Sequence, residues 1–526
     1  MIPLRVGEIA TVLDADVHVG DGAPVDLDRA AVHVTADSRA VAPGSLFVAL
    51  PGERVDGHAF VAAAFAQGAA AALVAHVVPD APGPQLVVAD PLEAFGRLAR
   101  HVVDRTRADR AHVDRVDVDR AHVDRFDVDL ADGETAGLRV VGVTGSQGKT
   151  STKDLLGAVL ATAGPTVAPV GNLNNELGVP LTVTRVERET RFLVAEMGAR
   201  GIGHIAYLCR IAPPDVALVL NVGHAHVGEF GGQGAIAQAK GELVEALDAD
   251  GVAVLNRTDP RVWAMRHRTR GRVLAFAVLD AGDAPPATDE AGGAVWADAL
   301  AGDGSGRYAF DLHVRGLPGT GATAGDGRVA RVRLRGTGRH QVANATAAAA
   351  AALALGLDLD AVAAALSAAE PASRWRMEVH DRVDGVLVVN DSYNANPGSM
   401  TAAVETLAEL GRARGRTWAV VGDMLELGAE APALHAAVAT QLAAAGIDEV
   451  VALGEFAPLL VAGQPGRARV ARSGAEAAAW VRAEVAPGDV VLVKASRGLA
   501  LDVVADEILR APDPERELDL EAGGPQ

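Results

Sequence analysis

The sequence predicts an α/β protein of three domains, and three observations carry that expectation. The first is length, since 526 residues make about three domains of ordinary size. The second is a repeated alternation of short apolar strand patterns with helical segments, the signature of parallel sheets covered by helices. The third is a glycine-rich turn, Thr144-Gly145-Ser146-Gln147-Gly148-Lys149-Thr150-Ser151, set between a strand pattern and a helix pattern.

The elements follow in chain order. Residues 1–105 alternate strand-like runs (Ser45 to Leu50, Ala72 to Val74) with an alanine-rich helical stretch from Ala59 to Gln67, which predicts a small α/β domain. Residues 106–137 hold a decapeptide that occurs twice, from Arg110 to Asp119 and from Arg120 to Asp129. Its alternating charges and isolated valines could bury little, so it reads as a solvated linker rather than a solenoid, which needs about three repeats. Residues 138–372 begin with the buried-strand pattern Leu138 to Val143 and end in an alanine-rich helix near Ala369. Within them, residues 280–330 are rich in Gly, Asp and Ala and read as an excursion or hairpin rather than core. Residues 373–526 carry four apolar runs (Val386 to Val389, Trp418 to Val421, Val450 to Leu453, Val490 to Val493) separated by helical segments, which predicts a doubly wound parallel sheet. The acidic tail from Asp513 reads as frayed.

Composition excludes several classes. The net charge of −20 argues against a nucleic-acid or anionic-membrane surface, because both need a basic face. The single cysteine, Cys209, allows neither an intrachain disulfide nor a cysteine-based zinc site, and reads as a buried small hydrophobe. The N-terminus has no basic start followed by a long apolar run, and no apolar stretch is long enough to span a bilayer. A soluble, cytoplasmic, monomeric protein is expected.

Of 48 basic residues only Lys149, Lys153, Lys240 and Lys494 are lysine. Arginine stays charged and is a planar fork, whereas lysine is a compact ammonium that can also be deprotonated and react. Lysine retained in such a chain therefore marks candidate chemistry. Lys149 has the strongest claim. Gly145 to Gly148 let backbone N–H groups close around phosphate oxygens, and the following helix adds its N-terminal donors and positive dipole end. Lys149 then reaches the terminal phosphates and the Thr150 hydroxyl suits Mg2+. Val143 stands where the longer form of this loop has glycine, so the loop is the short variant. Lys153, one turn on, reads as a surface cation.

Two further segments fall at the carboxyl ends of predicted strands, where open α/β sheets bind ligands. Phe192 to Ala195 leads into Glu196, and Val216 to Leu220 leads into Asn221-Val222-Gly223-His224-Ala225-His226. Glu196 is a natural Mg2+ ligand; His226 is a less usual one. Read alone, they equally fit a solvated glutamate and a histidine satisfied by a carbonyl. Lys240 lies on a predicted helix beyond them.

In these residues the chain resembles the Mur ligase family, the ATP-dependent amino-acid and peptide ligases of peptidoglycan synthesis. The short phosphate loop, Glu196-Met197-Gly198-Ala199, Asn221 to His226, Lys240 and Gly338-Arg339-His340-Gln341-Val342-Ala343-Asn344 follow in the family's order. Gln341 stands where asparagine is common, and the decapeptide repeat has no counterpart. The resemblance implies a small uridine-nucleotide domain, a central ATPase with a mostly parallel sheet and a C-terminal Rossmann-like domain. Gly171 to Pro180 and Asn390 to Met400 favour the type that adds D-alanyl-D-alanine to UDP-N-acetylmuramoyl-tripeptide. Asp37-Ser38-Arg39 and the segments after it are shared with the type that adds a free diamino acid, whose arginine-bearing signature is absent. That type and the folate polyglutamate synthetases are the nearest rivals; a nucleotide-binding module without turnover is a rival of another class.

Position by position, the resemblance implies the following roles. Gly145, Ser146, Gln147, Gly148, Lys149, Thr150 and Ser151 hold the ATP phosphates, with Asn344 on the adenine. Arg376 and Asp391 close onto the nucleotide. Thr150 and Glu196 bind one of two Mg2+ ions and His226 lies by the second, with Lys149, His226 and Lys240 as the catalytic set. Lys240 matches a lysine that the family carbamylates. Ser38, Arg39, Asn174 and Asn175 face the UDP-substrate. Tyr393, Asn394, Asn396, Lys494, Ser496 and Arg497 serve D-alanyl-D-alanine binding and closure.

Overall fold

The computed structural model describes residues 1–20, 26–52, 55–117, 137–223, 227–230, 232–287, 291–317, 327–464 and 467–510. It is an α/β protein with three main sheets. The N-terminal sheet has five strands in the order Asp16–Val19, Pro84–Val87, Ala71–Val74, Ser45–Val48, His33–Thr35, and only the first pairs antiparallel.

The helix Pro91–Asp117 leaves this sheet and runs unbroken through position 105, the expected domain boundary. Ala94, Phe95, Leu98, Ala99, Val102 and Val103 recur at helical spacing and are fully buried. Beyond them Arg107 donates to Asp215 (2.8 Å) and to the Pro213 carbonyl (3.0 Å), which ties the helix to the central domain. The backbone of the repeat is helical as far as Asp117, and the rest of it lies outside the described residues.

The central sheet has nine strands, in the order Arg328–Thr337, Arg307–Arg315, Ala294–Gly302, Arg272–Val278, Val252–Asn256, Val216–Val219, Arg139–Thr144, Phe192–Glu196, Thr166–Val167. The last seven are parallel; the first two are antiparallel additions. The residues expected to form an excursion or hairpin rather than core do pair as antiparallel hairpins, but these extend the core. Val295, Ala297, Phe310, Leu312 and Val314 are fully buried and pack, with Val332, toward the alanine-rich helix His340–Ala354. Their period of two was hidden because glycine- and aspartate-rich turns dominate the composition of the stretch. Ala347 to Ala352 are all fully buried, and side chains this small let the helix lie close to both the sheet and the loop helix Lys149–Ala161.

The C-terminal sheet runs Glu378–Asp381, Leu387–Asn390, Val490–Lys494, Thr417–Gly422, Glu449–Leu453, Ala468–Val470, with only the first pair antiparallel. Apolar clusters cover both of its faces, which is why its strands read as continuous apolar runs. Among the described residues no helix is long and apolar enough to cross a membrane.

Candidate active site

The carboxyl ends of the strands Arg139–Thr144, Phe192–Glu196 and Val216–Val219 open into one cavity of about 630 Å³ between the central and C-terminal domains. At its floor lies the glycine-rich turn. Gly148 has φ +80°, and a Cβ there would sit 2.5 Å from Asn344 Oδ1, so both conformation and space require glycine. The N–H groups of Ser146 and Gln147 converge on one oxygen, Asn221 Oδ1, at 3.0 Å each. Two backbone donors aimed at one oxygen is the arrangement an anionic oxygen needs. Asn221 also donates to the Gln147 carbonyl (3.2 Å), and the Gly223 N–H donates to Ser146 Oγ (2.8 Å). Asn221 was not among the residues expected at the site, though its place after a parallel strand was a signal.

Lys149 donates from Nζ to the Gly145 carbonyl at 2.7 Å. Its pKa is lowered: desolvation pulls it down, the Glu196 carboxylate opposes this and the Arg376 charge adds to it. Thr150 and Glu196 are 3% and 1% exposed. Glu196 Oε1 accepts from Asn174 Nδ2 at 2.7 Å, whereas its Oε2 is buried without a partner. A desolvated carboxylate oxygen left unpaired is costly, and a divalent cation would satisfy it. Among the described residues no group of three His, Cys, Asp or Glu side chains converges. Mg2+ does not require one, because beside a phosphate it uses one or two protein oxygens plus phosphate and water. The residues present therefore fit that ion.

Lys240, on the helix Gln233–Glu245, faces the same cavity and is 5% exposed. Burial pushes its pKa well below the ordinary lysine value, and the Lys149 charge pushes the same way. His226 lies outside the described residues.

The opposite wall comes from the C-terminal domain. Arg376 lies over the Tyr393 ring with its guanidinium 4.2 Å from the centroid. Asp391 accepts from Lys494 Nζ at Oδ2 (2.5 Å) and from the Met377 N–H at Oδ1 (3.1 Å). Lys494 also donates to the Asn394 carbonyl at 3.0 Å. Asn396 caps the helix Pro397–Ala413 by accepting from the Ser399 N–H (2.9 Å). The domains meet at Gly398, where a Cβ would come within 2.5 Å of Gln147 Oε1, so the phosphate loop touches the C-terminal domain directly.

Of the residues singled out in the sequence, Ser146 to Ser151, Asn174, Asn175, Glu196, Lys240, Asn344, Arg376, Asp391, Tyr393, Asn394, Asn396 and Lys494 line this cavity. Five others do not line it, among them Gly145, whose carbonyl accepts from Lys149. Ser496 bonds the Leu425 N–H (2.9 Å), and Arg497 stacks on Trp375 (4.3 Å) and pairs with Asp502. Ser38 and Arg39 lie in the N-terminal domain, where the Arg39 guanidinium holds Asp37 down to about 2. Two side chains have other engagements. Asn344, expected on the adenine, accepts from Thr152 Oγ1 (3.3 Å) and donates to Gln341 (3.0 Å). Asn175 accepts from the Gly178 N–H at 2.8 Å.

Lys153 is not the surface cation expected; it is 3% exposed and donates to the Pro169 carbonyl at 2.6 Å. The loop helix turns it inward, and no sequence pattern distinguished that face from the solvent face. Cys209 is buried as expected, and desolvation raises its thiol to about 12.

Three family models match the chain: the Mur ligase family catalytic domain over residues 31–102, the Mur ligase middle domain over 143–352, and the Mur ligase glutamate ligase domain over 375–497. A UDP-N-acetylmuramoyl-tripeptide–D-alanyl-D-alanine ligase of Mycobacterium tuberculosis is 42% identical over 97% of this chain and 98% of its own length. Among solved structures, MurF of Acinetobacter baumannii superposes with a TM-score of 0.78 at 29% identity, covering 96% of this chain and 99% of that one. MurF of Thermotoga maritima, solved with ADP, has a TM-score of 0.71 at 26% identity and covers 93% and 99%.

Proposed function

Since the chain belongs to the Mur ligase family, we infer that it is the MurF-type enzyme that joins D-alanyl-D-alanine to UDP-N-acetylmuramoyl-tripeptide with ATP. The observation that carries this reading is the match, over nearly the full length of both chains, to relatives bearing that activity. The cavity supports it, because a phosphate loop, a buried carboxylate and a buried lysine meet there against a second domain. The diamino-acid-adding and folate-type readings are not favoured by relatives matched from end to end. A module without turnover has no use for an unpaired buried carboxylate beside the loop lysine.

The chemistry is amide formation from a carboxylate, which is a poor electrophile. An oxygen of the tripeptide carboxylate attacks the γ-phosphorus of ATP, ADP leaves and an acyl phosphate forms. The dipeptide amine then attacks the acyl carbon, the C–O bond to phosphate breaks, and the amine gives up a proton. Two anions must first approach, at a cost of about 4 kcal/mol per unit-charge pair at ~4 Å and an effective dielectric near 20. Lys149 offsets that repulsion at the terminal phosphate, and the Ser146 and Gln147 N–H groups hold phosphate oxygens once Asn221 releases them. Arg376 approaches from the C-terminal domain. Thr150 and Glu196 would hold a Mg2+ ion, which when bound supplies further positive charge to the transferring phosphoryl group. Lys240 is proposed as the site of carbamylation. The enzyme acts as a monomer in the cytoplasm.

ADP release measured with UDP-N-acetylmuramoyl-tripeptide tests the reading. Turnover should appear on adding D-alanyl-D-alanine and stay absent with a free diamino acid; the reverse would overturn the reading. The cavity also needs two domains in contact, and the Gly228 N–H meets the Glu426 carbonyl (3.3 Å) across the same interface as Gln147 and Gly398. An ATP analogue plus the UDP-sugar should therefore lower the radius of gyration in small-angle scattering. An unchanged radius would count against closure, and the scattering mass checks the monomer.

A further inference from the structure

The second turn of the loop helix carries two charged side chains that the chemistry above does not use. The Lys153 ammonium, buried against the Pro169 carbonyl, also donates to Asp154 Oδ1 at 2.5 Å. The other oxygen of that carboxylate, Oδ2, accepts from Ser373 Oγ at 2.5 Å. Ser373 lies in the passage between the helix Leu359–Ala368 and the strand Glu378–Asp381, where the chain crosses from the central to the C-terminal domain.

That passage is unusual. Trp375 and Met377 have φ of +59° and +52°, a region that bulky L residues rarely adopt. Such conformations persist where the surroundings over-determine them, and they cluster at sites of function. Between the two stands Arg376, on the cavity wall. The C-terminal domain holds the downstream side of the strap. The Trp375 N–H donates to Glu378 (2.8 Å), the Met377 N–H to Asp391 (3.1 Å), and the Tyr393 N–H to the Trp375 carbonyl (3.1 Å). On the upstream side, the Ser373–Asp154 bond ties the strap to the helix that begins at the phosphate loop. The two strained residues thus lie between an anchor on each domain.

We propose that Lys153, Asp154 and Ser373 form a clasp that sets where Arg376 stands over the phosphate site, making them positioning residues for the ligase reaction. Arg376 enters from a separate domain, so its register against Lys149 depends on where the crossing strap is fixed. Asp154 supplies that fixed point, and Lys153 in turn fixes the carboxylate from the buried side. The Lys153 ammonium thus serves a carbonyl and a carboxylate at once inside the protein.

The inference rests on the ATP-dependent ligase reading. Its test uses the full-length chain with Ser373→Ala, Asp154→Asn and Ser373→Thr, measuring ADP release at saturating substrates and the ADP dissociation constant by calorimetry. Ser373→Ala and Asp154→Asn should each lower kcat about tenfold, the scale of one hydrogen bond to a charged group. ADP affinity should stay within about twofold, because the phosphate-loop contacts are untouched. Ser373→Thr keeps the hydroxyl and should recover most of kcat. A kcat for Ser373→Ala close to wild type, or equal damage from alanine and threonine, would overturn the clasp. If the wild-type chain releases no ADP with the dipeptide, the ligase reading fails instead. The clasp is then read from nucleotide-induced compaction, which Ser373→Ala should diminish and Ser373→Thr preserve; equal compaction in all three would overturn it.

Discussion

Lys240→Arg is expected to fold normally and to lose turnover by about 10²-fold or more, the scale seen when a group that orients metal or phosphate ligands is removed. Arginine has similar reach but stays a cation that cannot be deprotonated, so loss of activity would point to a requirement for the amine. Burial strips water from the Lys240 ammonium and the Lys149 charge repels it, and both push its pKa well down. Both effects favour the neutral amine, the form that carbamylation needs. Its nitrogen attacks the carbon of CO2, an N–C bond forms, one N–H proton passes to water, and an anionic carbamate remains. That anion would sit beside Lys149, converting a repulsive pair of cations into an attractive pair. Arginine stays protonated and cannot take this step. Lys240→Ala should be equally inactive, with partial recovery on adding acetate or another small carboxylate. The wild-type enzyme, stripped of CO2, should regain activity with bicarbonate. Acid protonates the amine and reverses the addition, so the bicarbonate requirement should grow as pH falls. Near-normal turnover in Lys240→Arg would sink the idea.

The cluster at the cavity was legible because its residues sit directly after parallel strands, where chain order and the fold place them together. The phosphate loop, Glu196 and Lys240 needed only that rule and the scarcity of lysine. The arrangement of Lys494 with Asp391, and of Asp154 with Ser373, was not legible, since each joins residues far apart in sequence through a single contact. The antiparallel strands Ala294–Gly302, Arg307–Arg315 and Arg328–Thr337 were obscured by the polar turns around them. The helix Pro91–Asp117 crosses the domain boundary expected at residue 105 because its apolar stripe gives way to charged residues without any stop signal. Asn344 illustrates a different limit. A motif located it at the cavity, but its engagement with Thr152 and Gln341 could not be read from that motif.

Glu196→Gln should lower turnover by roughly 10³-fold, because a bound Mg2+ ion is worth several kcal/mol to a charged transfer step. Asn174 already occupies Oε1, so only Oε2 is left without a partner. Glutamine could keep the bond from Asn174 only by turning its amide N–H2 toward that unpaired position, presenting donors and no charge where a cation should sit. Raising the Mg2+ concentration should therefore fail to restore it. Asn174→Ala leaves the carboxylate in place but frees its rotation, so it should cost about 10- to 100-fold and respond to added Mg2+. The Glu196 charge also holds the Lys149 pKa up against desolvation. Removing it lowers that pKa further, so the ammonium needed at the phosphates is lost at lower pH and the alkaline limb of the kcat profile should move toward neutrality. Stability should behave in the opposite sense. A desolvated carboxylate oxygen without a partner costs folding free energy, and the amide carries no charge to desolvate. Glu196→Gln should therefore melt no lower than wild type when Mg2+ is absent, while losing the stabilisation that Mg2+ gives the wild-type chain. A variant that kept both its Mg2+ dependence and its turnover would show that the unpaired oxygen of Glu196 serves something other than the metal.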